Sequence, residues 1–226
     1  AYRRQRQMCI RDRHMALSVS DTVYRDLERL ADVLVHRAPR SSDVSDMLSC
    51  IEKDRVPAVW CTSSVPYGTS LCGWLNDLGA RTQHAMQETH ERVELGRLWA
   101  ASAFLTATRQ MTARHRHQSL EQLELQWHLG SKSVPGQMIW EIGPVWIDGG
   151  VWSKGQLHLN NGSSTCVSTS TLEWTIPADT IAQQLLHVPV FLDTQRQHLL
   201  CHAAIPIDSA AALDLAALRA VAIRLM

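Results

Sequence analysis

Among side chains able to do chemistry, the eleven histidines and six cysteines come first. His115 and His117 are the closest histidine pair, with His128 beyond them and His198 and His202 four apart. Two residues apart on a loop is poor geometry for one ion, and a zinc site needs three or four converging ligands. The cysteines at 9, 50, 61, 72, 166 and 201 form no CxxC pair and read as reduced intracellular thiols. Asp208 and Asp214 read as residues of a helix N-terminal turn rather than an acid/base pair. No GxxxxGK[ST] loop, GxSxG elbow or HExxH motif is present, and Gly149-Gly150 lacks the Lys and following helix of a phosphate loop. The expectation is a protein with no catalytic, cofactor-binding or metal-ligating residue. Two binding options remain from residue type alone. A Trp-rich second half (127, 140, 146, 152 and 174) could stack on a sugar, although strand-like runs bury one face of such rings. Arg114 and Arg116 beside His115 form a short basic loop, open to solvent or to an ionic contact with a neighbouring domain.

The elements positioning these residues change character near residue 120. Ser20-Asp21 reads as an N-cap, and Val23, Leu27, Leu30, Val33 and Leu34 follow at mostly helical spacing until Arg37-Ala38-Pro39 stops them. Ser41-Ser42-Asp43 opens a second helix with Val44, Met47, Leu48 and Ile51 on one face. Val56-Pro57 closes it, and a turn-rich connection leads to residue 70. A third helix is expected over about Leu71 to Glu91, with Leu71, Trp74, Leu75 and Leu78 inward and Asp77 and Arg81 paired i,i+4. A fourth spans about Ala101 to Arg114, while 92–99 fits helix or extended backbone equally.

From Leu123 to Leu129 apolar and polar residues alternate strictly, the period of a half-buried strand. Further strands are expected at Met138–Ile142, Val145–Asp148, Gln156–Leu159, Thr171–Ile176, His187–Leu192, His198–Ile205 and Val221–Leu225. Gly149-Gly150, Asn160-Asn161-Gly162 and Ser163-Ser164 punctuate them, and an Ala/Leu-rich helix is expected over Asp208 to Leu218. Helices followed by short strands give an α+β class: a helical subdomain over 15–119, then a mostly antiparallel β-barrel-like subdomain over 120–226 with one late helix.

With 226 residues, 45% hydrophobic and 19% charged, the sequence has the make-up of a globular protein. Its 22 basic and 22 acidic residues conceal an asymmetry. Residues 1–13 hold five Arg and one Asp, leaving 17 basic and 21 acidic side chains in the remainder. Met8-Cys9-Ile10-Arg11-Asp12-Arg13 resembles the translation of a sequencing adapter, so residues 1–14 are set aside as a non-native arm. The zero formal charge argues against a nucleic-acid binder working through bulk charge. No apolar run approaches the roughly 20 residues of a membrane helix.

One stretch carries a family resemblance. Val56-Pro57 with Trp60, then Trp74-Leu75, Asp77-Leu78 and Arg81, is similar to the VP-x-x-W…W-x-x-DL-x-x-R run in the C-terminal domain of dynein heavy chains. Leu95-Gly96 follows, and Phe104-Leu105-Thr106-Ala107-Thr108-Arg109-Gln110 resembles the family's helix ending in Gln, in the form associated with cytoplasmic rather than axonemal dyneins. Ser119–Leu123, Gly149-Gly150 with Leu157–Leu159, Val188–Leu192 and Ala220–Ile223 resemble the family's later strands in order, and Leu27–Leu30 its entry helix. Two stretches depart from the pattern. An aromatic, Gly- and Pro-containing segment reads Leu98-Trp99-Ala100-Ala101-Ser102-Ala103 here, and the Tyr-Pro before the Trp helix appears as Val65-Pro66-Tyr67.

The resemblance implies a non-catalytic domain of a cytoplasmic, cytoskeleton-associated microtubule motor. It would lie against the AAA+ ring of the same heavy chain, tune minus-end-directed movement, and meet other dynein subunits only through the parent. ATP and Mg would belong to the parent motor and not to this segment. Trp60, Trp74, Asp77, Arg81 and Arg109 are the packing and interface residues it points to. A free-standing Trp-rich β module for a carbohydrate or protein ligand is the alternative, and a His-based metal hydrolase the third class.

Overall fold

The structure is a computed structural model describing residues 2–61, 70–86, 92–131, 138–153, 156–176, 184–207 and 220–225. The expected helix over Asp208 to Leu218, with Asp208 and Asp214, and the Val65-Pro66-Tyr67 motif lie outside the described residues. The protein divides into two compact units, one of residues 2–88 with 97–100, the other of 89–96 with 101–226.

The first unit is helical: α1 (Tyr2–Leu34), α2 (Ser42–Glu52) and α3 (Leu71–Met86), with a short 3-10 turn at Ala58–Trp60. Ala16, Val19 and Val23 of α1 are buried at three- and four-residue spacing against Trp74, Leu78 and Ala85 of α3. Hydrogen bonds from Arg13 to the Ala85 carbonyl (2.8 Å) and between the Ser20 and Thr82 hydroxyls (3.4 Å) fix α3 antiparallel along α1. A second small core joins Leu30 to Val44 and Met47 of α2.

Two sequence expectations shift in this unit, the start of α1 and the side on which Leu75 lies. Helix α1 does not begin at Ser20-Asp21, because the Ser20 hydroxyl meets Thr82 on α3 instead of capping a helix start. It runs unbroken through the segment set aside, where buried Asp12 accepts backbone N–H bonds from Trp99 (2.7 Å) and Ala100 (3.1 Å). Leu75, expected inward, is 39% exposed, because Trp74 and Leu78 fill the face toward α1.

The second unit is a mixed eight-stranded sheet with helix α4 (Ala101–Arg116). Its strands are β1 (Glu124–Leu129), β2 (Ile139–Ile142), β3 (Val145–Ser153), β4 (Gln156–Val167), β5 (Ser170–Thr175), β6 (Gln184–Phe191), β7 (Leu199–Ile207) and β8 (Ala222–Leu225), in the order β2-β5-β1-β7-β6-β8-β3-β4. Pairs β1–β7 and β6–β8 are parallel, and the other five antiparallel. The sheet curls, as its own connectivity requires. Strands β2 and β3 are joined by Gly143-Pro144 alone, yet stand first and seventh in the order. Six flat strand spacings would separate them by about 29 Å, whereas three Cα–Cα steps reach at most about 11 Å. The architecture is thus α+β, a helical region followed by a curled, mostly antiparallel half-barrel.

Strict alternation predicts β1 to be half-buried, and the structure buries more of it. Leu125 and Trp127 pair with Trp174 and Leu172 of β5, and Trp174 Nε1 donates to the Thr108 hydroxyl of α4 at 3.0 Å. The opposite face, carrying Gln126 and Glu173, is also buried, at 2% exposure each. The ambiguous 92–99 stretch resolves into an isolated bridge from Val93 to Ile142 and a 3-10 turn at Leu95–Arg97. Gly149-Gly150 does not end a strand. Strand β3 passes through it with a register shift between Asp148 and Gly150, and Gly149 takes φ 75°, open to glycine without a Cβ penalty.

Candidate functional site

The residues singled out from sequence occupy interior positions. Trp60 and Trp74 are 2% and 1% exposed and stack with ring centroids 5.9 Å apart and planes at 23°. The Pro57 start of the 3-10 turn brings Trp60 under α1, where its Nε1 donates to Asp26 Oδ2 at 2.9 Å. Asp77 and Arg81 are one turn apart on α3, and Arg81 Nε donates to Asp77 Oδ2 at 2.7 Å. The Arg81 side chain is almost buried while Asp77 is 43% exposed, so the pair carries a charge from the interior to the surface. These four residues share the helical unit. Arg109 is in the other unit, on α4, where its guanidinium lies 5.2 Å from the Trp174 ring centroid and donates to the Leu123 carbonyl at 2.9 Å. Arg109 and Trp174 also line a cleft of about 280 Å³ with Leu105, Leu120, Leu200 and Cys201, and burial pushes the Cys201 thiol up to about 12.

A second ionic cluster escaped sequence reading. Asp148 accepts from Arg224 Nε (2.6 Å) and Nη2 (2.8 Å), from Arg196 Nη2 (2.9 Å), and from the Ser164 hydroxyl (2.7 Å). Burial pushes its carboxyl up, but the bonds from Arg224, Ser164 and Arg196 and the Arg224 charge outweigh this and hold it at about 2. No spacing rule connects positions 148, 164, 196 and 224. The β3–β4 and β3–β8 pairings set Asp148 opposite Ser164 and Ala222, and the β6–β8 pairing brings in the turn that carries Arg196. In the β6–β7 turn Asp193 accepts from the backbone N–H groups of Gln197 (2.9 Å) and His198 (2.7 Å) and lies 2.5 Å from His198 Nδ1. Burial raises its pKa, and these bonds lower it further than burial raises it.

Among the described residues no group of three or more His, Cys, Asp or Glu side chains is arranged to hold a metal ion. Among the described residues, cysteines 50, 72, 166 and 201 are free thiols. Trp127 and Trp174, two of the five rings considered as a sugar platform, are buried in the sheet.

The exposed surface is more informative than the interior. Helix α1 presents Leu17 (53% exposed), Tyr24 (62%), Leu27 (44%) and Leu34 (63%), with Val35 (57%) just beyond its end. Spacings of seven, three and seven place them on one face, with exposed Ala31 completing the row. Its border is acidic, with Asp21 bonded to Arg25 (2.8 Å), Glu28 and Asp32. Four of the ten described exposed large hydrophobics fall in this one row.

The interior is braced by Trp, Arg and Asp side chains, and one row of apolar residues on α1 is exposed to solvent. The family model for the C-terminal domain of the dynein heavy chain matches residues 7–225, and this protein belongs to that family. The match begins inside the segment set aside as non-native. Similar proteins include the cytoplasmic dynein heavy chains of Dictyostelium discoideum (31% identical over 193 residues, 81% of the present sequence), Caenorhabditis elegans (28% over 114, 48%) and Drosophila melanogaster (24% over 195, 79%). The aligned regions amount to 4%, 2% and 4% of those heavy chains, so the present sequence corresponds to a small part of each.

Proposed function

We propose that this domain packs on the AAA+ ring of a cytoplasmic dynein heavy chain and modulates its minus-end-directed movement along microtubules, without catalysing a reaction itself. The observation that carries this reading is the apolar row on α1, left uncovered in a sequence matching a small part of much larger motors. A face of that kind is stable in water only when something covers it.

Modulation follows if the covering contacts differ between ring states, since any contact stronger in one state shifts the balance toward it. Trp60, Trp74, Asp77 and Arg81 would keep the helical unit rigid enough to transmit that bias, and Arg109 would do the same for the sheet unit. ATP and Mg would act in the ring. Other dynein subunits would be met through the parent heavy chain, with no direct microtubule, nucleic-acid or membrane contact. The cellular place is the cytoplasm, in association with the cytoskeleton.

The test is the intact heavy chain with Leu17→Ser and Leu27→Ser, using ATP turnover and single-molecule run length and stall force as readouts. Altered run length or stall force with the ring still hydrolysing ATP is expected. Unchanged movement would reject the reading.

A further inference from the structure

The α1 face specifies more than an apolar contact. Its residues recur at heptad positions: Leu17, Ser20, Tyr24, Leu27, Ala31 and Leu34 alternate in steps of three and four. Such a seam extends over about 26 Å, the length of some 17 helical residues, and its natural complement is a second helix. One border is closed, because Ser20 meets Thr82 of α3 and the apolar surface there continues into the core formed by Ala16 and Val23. The other border is open. At about 100° per residue, Asp21 and Glu28 form the row immediately beside the seam, and Arg25 and Asp32, seven residues apart, share the next row back. Arg29, further round still, is occupied by Asp26 (3.2 Å) and Asp43 (2.7 Å). Three carboxylates against one nearby guanidinium leave that border acidic.

We infer that the α1 seam receives an amphipathic helix whose own apolar heptad row is flanked by lysine or arginine, supplied by heavy-chain sequence outside this segment. The inference rests on the ring-docking reading and deepens it by naming the partner's chemistry. Charge decides between occupants. A second copy of this protein would set Asp21 and Glu28 against an equally acidic border, and like charges across a helical seam are unfavourable. A basic border would pair with them, and most of the heavy chain lies outside the aligned region.

The experiment places a photo-crosslinking amino acid at Leu27 in the intact heavy chain and maps the captured peptide by mass spectrometry. The expected capture is a heavy-chain helix with apolar residues in heptad spacing and at least two Lys or Arg within a turn of the crosslink. Glu28→Lys with Asp32→Lys should lower the yield about fivefold or more, and raising the salt should lower the unmodified protein's yield too. Retained circular dichroism and melting temperature would show that these surface changes leave the fold intact. Capture of a heavy-chain segment without that basic helical pattern, or a yield indifferent to charge reversal and salt, overturns the inference and leaves the docking reading standing. Capture of a second copy overturns the inference. Absence of any heavy-chain capture overturns both.

Discussion

Arg224 reaches Asp148 diagonally across the β3–β8 pairing as a forked ion pair, with Nε at 2.6 Å from one carboxylate oxygen and Nη2 at 2.8 Å from the other. The two-point geometry fixes the guanidinium plane, and Arg196 closes on the same carboxylate from the β6–β7 turn at 2.9 Å. One side chain thus ties three segments that are far apart in sequence.

Removing that charge should be costly. Asp148→Asn is expected to destabilise the sheet unit by about 2–3 kcal/mol, since two guanidiniums lose their shared anion in a largely buried place. Urea unfolding of the two proteins at neutral pH measures it.

The same carboxylate makes acid a probe. Its folded pKa of about 2 lies below the ordinary 3.8, so its contribution is full above about pH 4 and fades as pH falls toward 2. Solvent reaching Arg196, whose side chain is 34% exposed, screens the pair and reduces the effect to about 1–2 kcal/mol. Between pH 5 and pH 2.5 the gap between the unmodified protein and Asp148→Asn should narrow. A constant gap would contradict the assignment.

Trp60→Phe should keep much of the stacking on Trp74 but lose the bond to Asp26, costing about 1–2 kcal/mol. Trp74→Ala, which empties the centre of the α1–α3 core, should cost about 3–5 kcal/mol. Thermal denaturation followed by circular dichroism separates the two values.

On the open face of α1, Leu27→Ser should change stability by no more than about 0.5 kcal/mol, because the side chain touches little that is ordered. Asp12→Ala on the same helix should cost about 1–2 kcal/mol by leaving the Trp99 and Ala100 amides without their acceptor. Side-by-side melting curves test both. A cost at Leu27 equal to that at Asp12 would mean the seam is already covered within the protein.

Much of this architecture is written locally, and the exceptions share one cause. The strand at 124–129 and the helix from Leu71 follow from period and residue type, which act between near neighbours. Trp60, Trp74, Asp77 and Arg81 are also legible, because a turn and a helical repeat place them. The Asp148 cluster is not, since its members meet only after β3 has found β4 and β8 and β8 has found β6. The start of α1 is misplaced for a related reason. Ser20 carries a capping side chain, and only the distant Thr82 reveals its other use. The open α1 row is visible as spacing, but it merges in sequence with the buried row beside it, and only α3 decides which is covered. Trp127 and Trp174 could have suited a ligand or a core until α4 settled against the sheet.

The two-residue link between β2 and β3 acts as a clasp. It fastens the first strand of the sheet near the seventh, so tension applied along one strand is passed round a hoop rather than peeling an edge away. Lengthening Gly143-Pro144 by a few residues would loosen that hoop without touching a single buried side chain, leaving the same interior in a softer spring.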